Sequence, residues 1–152
     1  MIRAFIDANV LFAASYSSTG ASREVIRLAF QGQVQLVISD DVMEEAERNL
    51  TTKHSDALAV FHRILDSVPF QIVTPTTEEE QQATSYTAYK DAPIVAAAKR
   101  AGVDKLVSLN RRHLVDVPEV AKSAGLKIVL PNEVLRERYA GKKARDLTRR
   151  DL

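Results

Sequence analysis

Cysteine is absent from this sequence, and no apolar run is long enough to span a bilayer. Without thiols the chain forms no disulfide and no cysteine-ligated zinc site, which favours a reducing compartment. The first apolar run is interrupted by Asp7, too early for the apolar core of a secretory signal. These absences predict a cytoplasmic protein that does not enter a membrane.

A strong net charge is also lacking, since the formal value is +1 at pH 7, but the charge is unevenly distributed. Seven basic and two acidic side chains lie in residues 136–150, so the rest of the chain is acidic. A basic segment next to an acidic body is typical of nucleic-acid binding, although a solvated chain end explains it as well. The candidate nucleic-acid contacts in this basic C-terminal tail, residues 141–152, are Lys142, Lys143, Arg145, Arg149 and Arg150.

The chain length suits one compact domain, which we place at residues 1–140. Short apolar runs alternate with longer helical patterns, which predicts an α/β fold with a mostly parallel central sheet of about five strands. The runs are continuous, as in strands covered by helices on both faces, so we expect a three-layer α/β/α sandwich. The predicted strands are residues 2–6, 34–38, 70–73, 105–108 and 126–130.

Helix boundaries are marked by capping residues. Ser39 is expected to cap a helix that ends near Thr52, and Ser22 to cap one that ends at Phe30. Thr77 and Glu80 have the spacing of a capping box. Other boundary residues are Pro93 at the start and Gly102 at the end of one helix, and Pro131 at the start of the last.

Several acidic residues follow predicted strands directly. Asp7 follows the first strand, the segment "SDDVMEEAERNL" follows the second, and Asn110 follows the fourth, while Asp91 begins a helix. Ligands of parallel sheets bind outside the carboxyl ends of the strands, so these side chains should converge there. Asp104 precedes its strand and should lie at the opposite edge.

Each acidic residue also has an ordinary structural explanation. Asp91 has the sequence position of a helix N-cap, and the glutamates after Ser39 suit the solvated face of a helix. On a helical wheel Glu44 points farthest from the apolar face, but the wheel leaves Glu45 and Glu47 equivalent. Asp7 is the least readily explained, because an unpaired carboxylate at the end of a core strand is costly to bury.

In order along the chain, "FIDANVL", "ISDDVMEEAERNL", "KDAPIVAAAKRAGVDKLVSLNRRHL" and "KIVLPNEVL" resemble the PIN-domain ribonucleases, which include the VapC-like toxins of toxin–antitoxin pairs. The resemblance implies that Asp7, Glu45 and Asp91 form the metal-binding catalytic site, with Asn9 beside it. The family often has a further acid where this sequence has Asn110, preceded by a small hydroxyl residue that Ser108 matches. Asn110 is therefore a fourth candidate metal ligand.

The chemistry of clustered carboxylates agrees with this resemblance. Three carboxylates in one cleft repel one another unless a cation neutralises them, and Mg²⁺ or Mn²⁺ prefers such oxygen ligands. The resemblance thus implies an Mg²⁺- or Mn²⁺-dependent endoribonuclease with an RNA substrate, a protein antitoxin and a homodimeric state.

Two other interpretations remain open. Because Asn110 replaces an acid, the chain is alternatively a PIN-like module that binds RNA or protein without catalysis. The second alternative is a phosphohydrolase with Asp7 as nucleophile, but that chemistry usually has a second aspartate where this sequence has Asn9. Asp116 is an alternative source of the fourth ligand.

Overall fold

The computed structural model describes the backbone of residues 1–150 and the side chains of residues 1–140. Over this range five strands form one sheet: β1 (Ile2–Ile6), β2 (Val34–Ile38), β3 (Gln71–Ile72), β4 (Lys105–Val107) and β5 (Lys127–Val129). The helices are α1 (Ala8–Tyr16), α2 (Ala21–Phe30), α3 (Asp40–Lys53), α4 (Leu58–Ser67), α5 (Thr77–Ala83), α6 (Ala92–Ala101), α7 (Pro118–Ala124) and α8 (Pro131–Arg150). No described helix combines the length and the apolar character that a membrane crossing requires.

The sheet is entirely parallel, with the strand order β3-β2-β1-β4-β5. The chain builds outward from β1 through β2 to β3 and then returns to the other side of β1 for β4 and β5. Parallel crossovers are right-handed, so this reversal places the earlier and later crossover helices on opposite faces of the sheet. The five-stranded α/β/α sandwich expected from the sequence is confirmed.

Helix contacts agree with two covering layers. Helix α1 packs against α2, α3 and α4, and α8 packs against α2. On the other side α6 packs against α5 and α7. Because both faces are covered, the central strands are buried almost throughout, and Ala4, Phe5 and Ile6 of β1 are completely inaccessible to solvent.

The predicted strand ends are accurate for β1 and β2, and the three other strands are shorter than predicted. β3 and β5 are edge strands that pair on one side only. Asp104 lies at the amino end of the sheet as expected, where its Oδ2 accepts a hydrogen bond from the Arg3 backbone N–H at 3.1 Å.

Most of the helix signals are correct within one residue. The Ser39 hydroxyl accepts a hydrogen bond from the Val42 backbone N–H and thereby caps α3, and Gly102 ends α6 with a positive φ of 63°. Two caps were misplaced. The capping box is formed by Thr76 and Glu79, because Thr76 has the extended backbone that a cap needs.

The second misplaced cap is that of α2. Gly20 is its N-cap, and Ser22 lies buried within the helix. The predicted tail, residues 141–152, overlaps the backbone of α8 as far as Arg150. The side chains of its candidate RNA contacts, Lys142, Lys143, Arg145, Arg149 and Arg150, lie outside the described residues.

One ion pair fastens α8 to the sheet. Lys105 of β4 is buried, and its Nζ lies 2.6 Å from Oε2 of Glu137, which is half exposed. An ammonium group buried without a partner is strongly destabilising, so the structure depends on Glu137 at this point.

We predict that Glu137→Ala lowers the free energy of unfolding by about 1–2 kcal/mol, because Lys105 loses its carboxylate but still reaches water past the shortened side chain. The matched control is Glu133→Ala, which removes an exposed pair with Arg136 on the same helix and should cost under about 0.5 kcal/mol. Urea denaturation of the two variants measures the difference. Equal effects would contradict the assignment of Glu137 as the anchor.

Candidate functional site

A cleft of about 280 Å³ opens at the carboxyl ends of β1 and β4, where the order in which strands are added to the sheet reverses. It is bounded by the starts of α1 and α6 and by one face of α3. Its acidic and amide lining includes Asp7, Asn9, Glu45, Asp91 and Asn110. The structure therefore brings together the side chains that were predicted to converge from the sequence.

Asp7 is 7% exposed and lies at the inner end of this cleft. Its backbone N–H donates to the Val107 carbonyl at 2.9 Å, which continues the pairing of β1 with β4. Its Oδ1 accepts from the Ala8 backbone N–H at 2.7 Å, and its Oδ2 accepts from the Ser108 hydroxyl at 2.7 Å. Both oxygens are thereby fixed in direction.

The pKa of Asp7 is raised to about 6, chiefly by burial and to a smaller extent by the negative charges of Glu45 and Asp91. The hydrogen bonds from Ser108 and Ala8 act in the opposite direction, because they stabilise the carboxylate. A neighbouring cation would favour the charged form of Asp7 in the same way.

Ser108 and Asn9 hold Asp7 in place. The fully buried Ser108 hydroxyl donates to Asp7 and accepts from the Asn110 backbone N–H at 3.0 Å. Asn9 donates to Ser108 Oγ at 3.3 Å, and its Oδ1 accepts from the Leu109 backbone N–H at 3.0 Å. These contacts join the loop after β4 to the start of α1.

Asp91 is 9% exposed, and its Oδ2 is buried without a hydrogen-bond partner. It stands at the N-cap position of α6, but its side chain caps no backbone N–H there. The reason is local geometry: a one-turn helix, Tyr89–Asp91, precedes α6 and gives Asp91 a helical backbone instead of the extended one of a capping residue. Capping by its side chain therefore does not explain Asp91.

The structure also separates the glutamates of α3. Glu45 lines the cleft from its exposed position, whereas Glu44 and Glu47 do not. Glu45 is thus the glutamate of α3 that faces Asp7 and Asp91.

Asn110 lines the cleft as well, but its amide oxygen already has a partner. Oδ1 accepts a hydrogen bond from the His113 backbone N–H at 3.1 Å and caps the single turn Arg111–Val115. The alternative residue, Asp116, is paired with Arg111 at 3.2 Å and does not line the cleft. The oxygen of Asn110 has one remaining lone pair for a further ligand.

The residues fit a hard cation held partly through water. Within the described residues no group of three acidic or histidine side chains is close enough to enclose a metal ion as it stands. However, Mg²⁺ usually keeps several waters and binds through one or two carboxylates. The unpartnered oxygen of Asp91 and the raised pKa of Asp7 suit a site that binds such a cation.

Five further lining residues were not predicted from the sequence: Phe12, Asn49, Lys53, Lys90 and Ile94. Two features of the sequence could have indicated three of these residues. Glu45, Asn49 and Lys53 are spaced four residues apart and so share one face of α3, and Lys90 directly precedes Asp91. The cleft therefore has two lysines among its acids.

Comparison with known proteins gives a consistent result. Residues 3–112 match the family model of the PIN domain, a range that includes Asp7, Glu45, Asp91 and Asn110. No significant match is found among curated protein sequences.

Three solved structures have a similar fold. The protein PAE2754 from Pyrobaculum aerophilum matches with a TM-score of 0.61 and 17% identity, over 89% of this chain and 94% of its own. A chain of VapBC2 from Rickettsia felis, bound to a DNA fragment from the promoter, gives 0.59 and 12%, over 84% and 97%. VapC20 from Mycobacterium tuberculosis, a toxin that cleaves the sarcin–ricin loop, gives 0.52 and 19%, over 72% and 91%.

We predict that Asp7→Asn stabilises the metal-free protein at pH 7.5 by roughly 1–3 kcal/mol. The folded pKa of Asp7, about 6, lies above its ordinary value of 3.8, so the folded protein binds this proton more tightly than the unfolded chain does. In the parent protein, the ionised carboxylate of Asp7 destabilises the fold. This destabilisation is complete above pH 6 and disappears as the pH falls through 4. Thermal melts of both proteins in EDTA from pH 4 to pH 8 measure it. Exposed Asp66→Asn is the control, and a stabilisation independent of pH would contradict the prediction.

Proposed function

This chain belongs to the PIN-domain family, and from that premise we propose that it is an Mg²⁺- or Mn²⁺-dependent endoribonuclease, the toxin of a toxin–antitoxin pair. The observation that carries the proposal is the pairing of two buried carboxylates in one cleft. One carboxylate oxygen of Asp91 has no hydrogen-bond partner, and the raised pKa of Asp7 shows that its surroundings disfavour the charged form. Such an arrangement is costly in a fold unless a cation uses it.

The residues divide the chemistry among them. Asp7 and Asp91 would hold the cation, and Asn110 would contribute its remaining lone pair. A bound Mg²⁺ or Mn²⁺ supplies charge stabilisation at the phosphate and acidifies a bound water. Glu45, an exposed residue of the cleft lining, would accept a proton from the attacking water.

Hydrolysis proceeds in this proposal without a covalent intermediate. Water forms a bond to phosphorus and gives its proton to Glu45, while the bond from phosphorus to the leaving ribose oxygen breaks and that oxygen takes a proton from solvent. Ser108 is not the nucleophile, because its hydroxyl is completely buried and donates to Asp7. Asp7 is also a poor nucleophile, since both of its oxygens accept hydrogen bonds. This argues against the phosphohydrolase alternative.

The biological assignment rests on fold similarity. VapBC2 and VapC20, whose names place them in toxin–antitoxin systems, share the fold with this chain. We accordingly propose a protein antitoxin as partner, a homodimer as the toxin's own assembly, and the cytoplasm as location. The basic residues of α8 and its end, including Lys142, Lys143, Arg145, Arg149 and Arg150, remain candidates for RNA contacts.

One observation favours the catalytically inactive alternative. Asn110 brings no charge to the site, and its amide oxygen caps the following turn. A PIN-like module that binds RNA or protein without cleaving it would tolerate this arrangement. Metal-dependent cleavage separates the two proposals.

We predict that Asp7→Asn and Asp91→Asn each reduce RNA cleavage by about 100-fold or more, since each removes a charge needed to hold the cation. Glu47→Gln, on α3 outside the cleft, is the matched control and should retain activity. Cleavage of labelled RNA is measured with Mg²⁺, with Mn²⁺ and with EDTA. Mg²⁺ should raise the melting temperature of the parent protein and of Glu47→Gln, but not that of the two aspartate variants. Cleavage that persists in EDTA, or in both variants, would overturn the nuclease proposal.

We also predict that Asn110→Asp lowers the Mg²⁺ concentration needed for half-maximal cleavage, because it adds a charge and keeps the cap on the His113 N–H. Asn110→Ala removes ligand and cap together, so it should weaken metal dependence and cost about 1 kcal/mol of stability. A metal titration of cleavage compares both variants with the parent protein, and Asp116→Asn serves as control. If both Asn110 variants follow the parent curve, Asn110 is not a ligand.

A further inference from the structure

Three rings meet where the cleft runs along α1 and α3. Phe12 lines the cleft, Tyr16 follows it by one turn at the end of α1, and His54 ends α3. The rings of Tyr16 and His54 are stacked, with centroids 4.5 Å apart and planes within 6° of parallel. The Phe12 ring lies 5.2 Å from that of Tyr16 and 5.7 Å from that of His54. We refer to these three residues as the ring cluster.

The ring cluster is open to solvent. Tyr16 is 49% exposed, His54 is also exposed, and Phe12 is only partly buried. In a stacked pair each ring covers one face of the other, so the outer faces stay available. A cluster that served only to fasten α1 to α3 would be more stabilising if its rings were buried.

A lysine, Lys53, lines the same cleft as Phe12 of the ring cluster. Glu45, Asn49 and Lys53 share one face of α3, and each step of four residues advances about 6 Å along the helix. The cleft therefore runs from a carboxylate end at Glu45 to an ammonium end at Lys53, which directly precedes His54. No described carboxylate lies within ion-pair distance of Lys53.

We propose that the ring cluster and Lys53 form a subsite for one nucleotide of single-stranded RNA, with its base stacked on the rings and a phosphate contacting Lys53. The proposal rests on the proposed function, since the acidic end of the same cleft would contain the bond to be cleaved. Rings and a nearby cation are the two elements by which proteins hold single strands, and bases within a duplex are not free to stack on side chains.

The test measures binding in EDTA, in which the proposed cleavage is stopped. The probes are a short labelled single-stranded oligoribonucleotide and the same backbone with abasic sites. Tyr16→Leu should weaken binding of the base-bearing probe about five- to tenfold and leave the abasic probe unaffected. Tyr16→Phe should bind like the parent protein. Phe30→Leu replaces an exposed ring at the end of α2, outside the cleft, and should change nothing.

Lys53→Gln should give a different pattern. It should weaken both probes equally and reduce the slope of log affinity against log salt by about one. Tyrosine emission gives a second readout, because the chain has four tyrosines and no tryptophan. The base-bearing probe should quench the emission more than the abasic probe does, and Tyr16→Phe should abolish that difference.

The proposal is overturned if Tyr16→Leu folds and binds both probes as the parent does, or if it weakens both equally. It is also overturned if the difference in quenching is absent or survives Tyr16→Phe, a readout that holds even if Tyr16→Leu does not fold. If the subsite behaves as expected while the parent protein cleaves no RNA, the subsite stands and the nuclease proposal fails. If RNA is cleaved and substitution of Tyr16 has no effect on either readout, the nuclease proposal stands and the subsite proposal fails.

Discussion

The burial of one carboxylate at the end of the central strand organises this cleft. Asp7 belongs to the most buried part of the molecule, and its position is fixed through the backbone of β4 and the hydroxyl of Ser108. Ser108 and Asn9 then fix the loop after β4, which presents Asn110. The side chain of Asp7 thus joins the start of α1 to the loop after β4, two segments that are distant in sequence.

The parts of the fold that could be predicted are those governed by local rules. Continuous apolar runs located the strands, and Ser39, Gly102 and Pro131 located helix ends, because capping depends on residues close in sequence. The errors in helix capping arose where only the backbone conformation selects the capping residue. Thr76 and Thr77 are equally good capping residues, and only the extended backbone of Thr76 selects it.

The candidate site could likewise be predicted in part, where general rules apply, and not where packing decides. Topology alone placed Asp7 and Asp91 at one edge of the sheet, because parallel strands end, and the helices between them begin, at that edge. Sequence reasoning did not separate Glu45 from Glu47 on physical grounds, because their separation depends on the rotation of α3 against the sheet. Phe12 and Lys53 were missed for a related reason: an apolar residue and a helix-end lysine have ordinary roles, and only packing shows that both border the cleft.

The two helical layers meet at the cleft through different members of the site. Glu45 lies on α3 in one layer, Asp91 precedes α6 in the other, and these two helices are in contact. A ligand that contacts both carboxylates therefore also links the two helical layers. Occupancy of the cleft would slow the opening of both layers together, so amide hydrogens of α3 and α6 would exchange with solvent as one cooperative unit.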